Sequence, residues 1–277
     1  WGEPIDPAEV KKALDANPDA ALVGIVHAET STGVLQPMEE IGAACQGHGA
    51  LLLMDCVTSL GGVPVEVDKW GVEIAYSGTQ KCLSCPPGVA PLTMSERALG
   101  KMRERKNKVA SWYFDVSMIE SYWGSDRSYH HTGPITMNYA IREALRLVLE
   151  EGLEARFDRH ALASKALQAG VEALGLSMFA QEGARTPTLN TVSIGDNIDD
   201  GAVRKSLLND FNIEIGGGLG PVAGEAWRIG MMGHGARQED VAYLISALEV
   251  IFKRMGYTQK VGDASAAVTQ VYAEALS

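Results

Sequence analysis

Of 277 residues only four are cysteine, Cys45, Cys56, Cys82 and Cys85, all in or beside apolar segments. That spacing is not a secreted disulfide framework and fits a reducing compartment. Cys82 and Cys85 form one Cys-x-x-Cys, but no second such pair or His-x-His follows at a useful distance, so packing beside a turn is favoured over a zinc knuckle and no metal is expected. No apolar run is long enough to span a bilayer and no signal peptide is recognised, so a membrane is not an expected partner and a cytoplasmic location is expected by default. Basic charge is in short supply too: 24 lysines and arginines face 35 acidic residues, a formal charge of −11. The one basic run, "KMRERKNK" at 101 to 108, reads as a solvated helix surface, and nucleic acid is not an expected partner. Repeats and low-complexity tracts are absent as well.

What is present is punctuated by proline and glycine. "IDPAEVKKALDAN" opens with Asp6 as N-cap and Pro7 at the first helical position. "AALVGIVHAET" then reads as a short strand buried on both faces, "QPMEEIGAACQGHG" as a helix, and "ALLLMDCVTS" and "VEIAYSGTQK" as two further buried strands. This order predicts a mainly parallel sheet with helices on both faces. A long helix is predicted over 134 to 150. Beyond Gly152 the pattern changes to an amphipathic helix "LEARFDRHALASKALQAGVEALG", alternating half-exposed strands "TLNTVSIG", "IEIGGGLG" and "EAWRIGMM", two more helices and a weakly helical tail. The expected organisation is α/β, with a large domain over residues 1–151 and a smaller C-terminal α+β domain over 152–277.

In open parallel sheets ligands bind beyond the carboxyl ends of the strands. Residues leaving the strands there are His27, Glu29 and Thr30 from the first, Asp55 from the second, and Ser77, Thr79, Gln80 and Lys81 from the third. Taken singly, Asp55 reads as a turn former and Lys81 as a solvated amine. Jointly, a carboxylate and an amine on neighbouring strand ends suit pyridoxal 5'-phosphate (PLP). A lysine binds the aldehyde of this cofactor as a Schiff base, and an aspartate keeps its pyridine nitrogen protonated.

The segments "HAETSTGVLQP", "LLLMDCVTSLGG", "YSGTQKCLSCPPG", "YHHTGP", "GGGLGP" and "WRIGMMG", in this order, resemble the class V, fold-type I aminotransferases, most closely the alanine:glyoxylate and serine:pyruvate group. The resemblance implies a PLP enzyme in which Lys81 is the Schiff-base lysine and Asp55 the partner of the pyridine nitrogen. It implies Val57 against one face of the ring, Thr30 near the phenolic oxygen and Gln80 at the phosphate. Tyr129 and Thr132 would reach the phosphate of the other subunit, so a homodimer with shared active sites is implied. Arg228 would bind the substrate α-carboxylate; without the resemblance it reads as a strand-edge arginine paired with an acid. His130 and His131, adjacent on an extended segment, are expected to point to opposite sides and to serve packing or an interface.

Family members carry a further N-terminal stretch with a phosphate loop and a stacking aromatic, so this chain is expected to be a fragment or to be completed by a separate N-terminal polypeptide. The expected reaction transfers the amino group of an amino acid such as alanine or serine to glyoxylate or pyruvate. The alternatives are a ureidoglycine:glyoxylate aminotransferase or another class V enzyme, and a non-catalytic fragment or partner subunit. Cysteine desulfurases share the fold, but neither Cys82 nor Cys85, tied beside the lysine, fits their mobile nucleophile.

Overall fold

The computed structural model describes residues 1–258 and 260–276. The first helix, α1 (Pro7–Ala16), begins where Asp6 accepts a hydrogen bond from the Ala8 amide and Pro7 sets the first turn. Strand β1 (Leu22–Val26) follows, then a two-stranded hairpin of β2 (Ala28–Glu29) and β3 (Val34–Leu35), and α2 (Met38–Cys45). Strands β4 (Leu51–Asp55), β5 (Ile74–Tyr76) and β6 (Leu92–Met94) complete a four-stranded sheet in the order β1-β4-β5-β6. β1, β4 and β5 run parallel and β6 antiparallel.

Pleat alternation sorts the side chains of this sheet onto two faces. Ile25, Leu52, Met54 and Ala75 lie on one face and pack with Met38 and Ile41 of α2 in a common core. Gly42 lets the same helix press against the backbone of Trp70, where a Cβ would collide with the carbonyl oxygen. On the opposite face Leu22, Val26, Tyr76 and Leu92 are between 36% and 51% exposed, and Asp55 stands in register with Val26 and Tyr76.

Helices α3 (Glu96–Arg103), α4 (Val116–Trp123) and α5 (Ile135–Glu151) follow; Gly152, with φ of 83°, then turns the chain into α6 (Leu153–Ala173). The remaining elements are β7 (Ser177–Met178), β8 (Leu189–Ser193), α7 (Asp200–Phe211), β9 (Gly216–Gly217), β10 (Ala226–Gly230), α8 (Gln238–Met255) and α9 (Asp263–Ala275). They form an antiparallel sheet in the order β7-β8-β10-β9, backed by a second core that includes Leu167, Val192, Trp227, Ile245, Leu248 and Phe252.

Three expectations need correction here. β8 does not alternate: Leu189, Asn190, Thr191 and Val192 are all buried. Asn190 accepts from Ser164 of α6 at 2.8 Å, while Thr191 lies against Gly33 in the β2–β3 hairpin, so both faces of the strand are covered. The predicted amphipathic helix, α6, buries polar as well as apolar residues, Arg156, His160 and Ser164 among them, because it lies between the two sheets' units rather than on a surface. The predicted strand over "IEIGGGLG" shrinks to the two residues of β9, which pair with Trp227 and Arg228 of β10.

Candidate functional site

Asp55 and Tyr76 are the last residues of neighbouring parallel strands and partner each other in register. The Tyr76 hydroxyl donates to Asp55 Oδ2 at 2.7 Å, and the Val57 amide donates to Oδ1 at 2.9 Å. The carboxylate is thereby fixed, yet each oxygen keeps a lone pair for another donor. This bond and the nearby charge push the Tyr76 phenol up to about 12, so it remains a donor at neutral pH. Val57 is half-buried beside the carboxylate.

Lys81 leaves the turn that ends β5. The turn is closed by Ser84 N–H to the Lys81 carbonyl at 2.9 Å, Cys85 N–H to the Thr79 carbonyl at 3.0 Å, and the Thr79 hydroxyl to the Pro86 carbonyl at 2.7 Å. The Lys81 side chain is half-buried, and among the described residues its amine has neither a hydrogen bond nor an ion pair. Gln80 is exposed and its amide folds back over Gly78, which has no Cβ to obstruct it. Cys82 and Cys85 are buried free thiols; burial raises Cys82 to about 12, and its Sγ donates to the Thr58 carbonyl at 3.2 Å.

Arg228, on β10 of the C-terminal sheet, is brought to the same place. Its Nε donates to the Gly217 carbonyl at 2.7 Å, and one terminal nitrogen lies 3.5 Å from the Thr30 carbonyl. No acidic side chain pairs with it among the described residues, in contrast to Arg204, Arg237 and Arg254, which are all ion-paired. The acid expected beside a strand-edge arginine is therefore missing, and the outer edge of the guanidinium fork is free. Thr30 and Arg228 thus meet although 198 residues separate them.

Not every strand-end residue faces this edge. His27 is buried, bonded through Nδ1 to Ser59 Oγ at 2.9 Å and set edge-on to Trp70, and burial lowers it to about 4. Tyr129 is 72% exposed and shares a 2.8 Å hydrogen bond with Thr132; among the described residues no bond links either to Thr30, Asp55 or Lys81. His130 and His131 do not diverge as expected. Their Nδ1 atoms approach to 2.8 Å, as His130 stacks on Trp112 at 4.3 Å with its Nε2 3.1 Å from the Trp112 carbonyl. Sequence reasoning missed Tyr76, because its place opposite Asp55 depends on the register of β4 against β5.

The residues present fit PLP in their chemistry. An unpaired primary amine suits its aldehyde, a fixed carboxylate suits its pyridinium, and a free guanidinium suits the carboxylate of an amino acid.

Comparison with known proteins agrees. The family model for "Aminotransferase class-V" matches residues 2–244. The crystal structure of a ureidoglycine–glyoxylate aminotransferase from Bacillus subtilis superposes with a TM-score of 0.95 at 43% identity, covering 98% of this chain and 70% of that one. An alanine–glyoxylate aminotransferase structure from Nostoc sp. gives 0.89 at 50% identity, over 91% of this chain and 67% of that one. The alanine–glyoxylate aminotransferase of Callithrix jacchus is 42% identical over 87% of this chain, which spans 59% of that relative's length. On this sequence match and this fold, the chain belongs to the class-V, fold-type I aminotransferases, whose cofactor is pyridoxal 5'-phosphate.

Proposed function

We propose that the protein transfers the amino group of an amino acid such as alanine or serine to a 2-oxo acid such as glyoxylate or pyruvate. The observation that carries this reading is a pair of half-buried cations, Lys81 and Arg228, left without acidic partners in a chain of net charge −11. Burying cations without partners is costly, and ligands that bring a carboxylate, a phosphate and an aldehyde resolve that cost. When bound, PLP supplies a protonated ring that accepts the electron pair of the substrate's Cα–H bond. Lys81 is the residue that would hold the cofactor's aldehyde carbon, and its free amine would take the proton from the substrate Cα. Asp55 would pair with the pyridine nitrogen, Val57 would lie against the ring, Thr30 would bond near the phenolic oxygen and Gln80 would touch the phosphate. Arg228 grips the α-carboxylate and so orients the Cα–H bond.

Tyr129 and Thr132, exposed and bonded to each other, serve the phosphate of a second copy in a homodimer. We take the chain as two units, 1–151 and 152–277, which the separate cores support, and the cytoplasm as its location. (S)-Ureidoglycine is the second donor to consider, favoured by the likeness to the Bacillus subtilis protein.

The test is a donor panel on the intact protein with PLP: alanine, serine and ureidoglycine, each with glyoxylate or pyruvate. Amino transfer that disappears in Lys81→Ala supports the reading. Absence of transfer from every donor, or full activity in Lys81→Ala, overturns it. Preference for ureidoglycine selects the second donor.

A further inference from the structure

The turn that presents Lys81 is held from outside by one side chain of the other unit. Arg156, on α6 and 5% exposed, donates from Nε to the Gly61 carbonyl at 2.9 Å and from a terminal nitrogen to the Cys82 carbonyl, one residue beyond Lys81. Its remaining terminal nitrogen is anchored by Glu151 Oε2 at 2.6 Å. Each nitrogen of the fork therefore meets a different acceptor, an arrangement an ammonium group cannot reproduce.

The same anchor reaches the segment that follows Arg228. Glu151 also accepts from Arg159 Nε at 2.6 Å, and Arg159 donates to the carbonyls of Gly233 and Ala236 at 2.9 and 2.8 Å. His160 Nδ1 is bonded to the Arg156 carbonyl at 2.7 Å, and its Nε2 accepts from the Gly233 amide at 2.8 Å. The loop after β10 then closes the circuit: the His234 amide donates to Ser84 Oγ at 2.7 Å, within the Lys81 turn. Two backbone features show how close this approach is. Gly233 has φ of 57° and no room for a Cβ, which would collide with Ser84 Oγ, and Ser84 itself sits at φ of 56°, a costly position for a non-glycine residue.

We infer that Arg156 is a positioning residue for the Lys81 amine, and that the Glu151–Arg156–Arg159 cluster sets the placement of Lys81 relative to Arg228. The inference rests on the roles proposed above for those two residues. A merely structural arginine at this interface would affect stability; this one also fixes the peptide from which the reacting amine departs. Small misplacements of a reacting group are costly in rate, on the order of a hundredfold for an ångström.

The experiment compares the holoenzyme of the intact protein with its Arg156→Lys variant, which keeps the charge and loses the fork. Four quantities are read: kcat and KM for the amino donor, the pH at which the absorbance of lysine-bound PLP titrates, and the rate of borohydride trapping of PLP on Lys81, mapped by mass spectrometry. Expected are a fall in kcat and in trapping rate on the order of ten- to a hundredfold, a displaced titration, and little change in KM. Leu167→Ala, in the C-terminal core, is the control for lost stability and should leave the titration where it was. Parent-like values in Arg156→Lys, or the same displacement in Leu167→Ala, overturn the inference. If Arg156→Lys does not fold, Glu151→Gln is read instead: the same shifts at smaller size support the inference, and none overturns it. Trapping of PLP on a different lysine in the parent protein sinks the Lys81 assignment itself; trapping on Lys81 with Arg156→Lys unchanged sinks only this inference.

Discussion

Replacing Arg228 by lysine separates charge from geometry at the substrate end of the site. In the folded chain Nε is committed to the Gly217 carbonyl at 2.7 Å, and the nearer terminal nitrogen reaches the Thr30 carbonyl only at 3.5 Å. The two terminal nitrogens are therefore available to a carboxylate as a parallel pair. Lysine keeps the positive charge but offers one point of contact and releases the Gly217 carbonyl. Losing one charge-assisted hydrogen bond costs roughly 1.5 to 3 kcal/mol, which is roughly ten- to a hundredfold in kcat/KM. The assay pairs an amino-acid donor with a simple amine of similar size lacking the carboxylate, in parent and Arg228→Lys. Only the amino acid should lose kcat/KM, so the preference for it over the amine collapses, while PLP affinity measured by fluorescence is unchanged. An equal loss for both donors, or loss of PLP binding in parallel, would refute the reasoning.

Other perturbations probe the frame around the site. His27 and His160 are buried and held neutral, each lowered to about 4 from an ordinary 6.5, so the unfolded chain takes up protons that the folded one refuses as pH falls. Stability should be full above pH 6.5 and should drop by about 2 to 3 kcal/mol per histidine by pH 4; urea midpoints that stay flat between neutral pH and pH 5 would contradict this. Gly42→Ala drives a Cβ into the Trp70 carbonyl and should cost about 1 to 3 kcal/mol by overpacking, visible as a lowered thermal midpoint; a parent-like midpoint refutes the close approach. Tyr76→Phe deletes the donor that fixes Asp55 and should weaken PLP binding roughly fivefold, the equivalent of about 1 kcal/mol. Unaltered affinity in that variant would mean the carboxylate is positioned without the phenol.

The N-terminal elements were largely legible because their signals are local. Asp6-Pro7 starts α1 where read, and the continuous apolar runs around Ile25, Met54 and Ala75 become parallel strands whose ends bear Asp55 and lead to Lys81. Strand β6 escaped notice because Leu92–Met94 is only three residues long and follows a Pro-Pro-Gly turn; it forms by pairing with β5, not by its own propensity. The tail helix α9 reads weakly for a related reason. Its first amides and Ser265 are capped by the buried carboxylate of Glu249, which lies on α8.

Sequence by itself determined the residue types at the strand ends, since a strand's alternation and the turn that stops it are encoded within a few neighbouring residues. It could not determine that Asp55 would be held by Tyr76, that Arg228 would meet Thr30 with no acid beside it, or that Arg156 would close on the peptide after Lys81. Those contacts are set by strand register and by the packing of two separate cores across long stretches of chain, which no local pattern specifies.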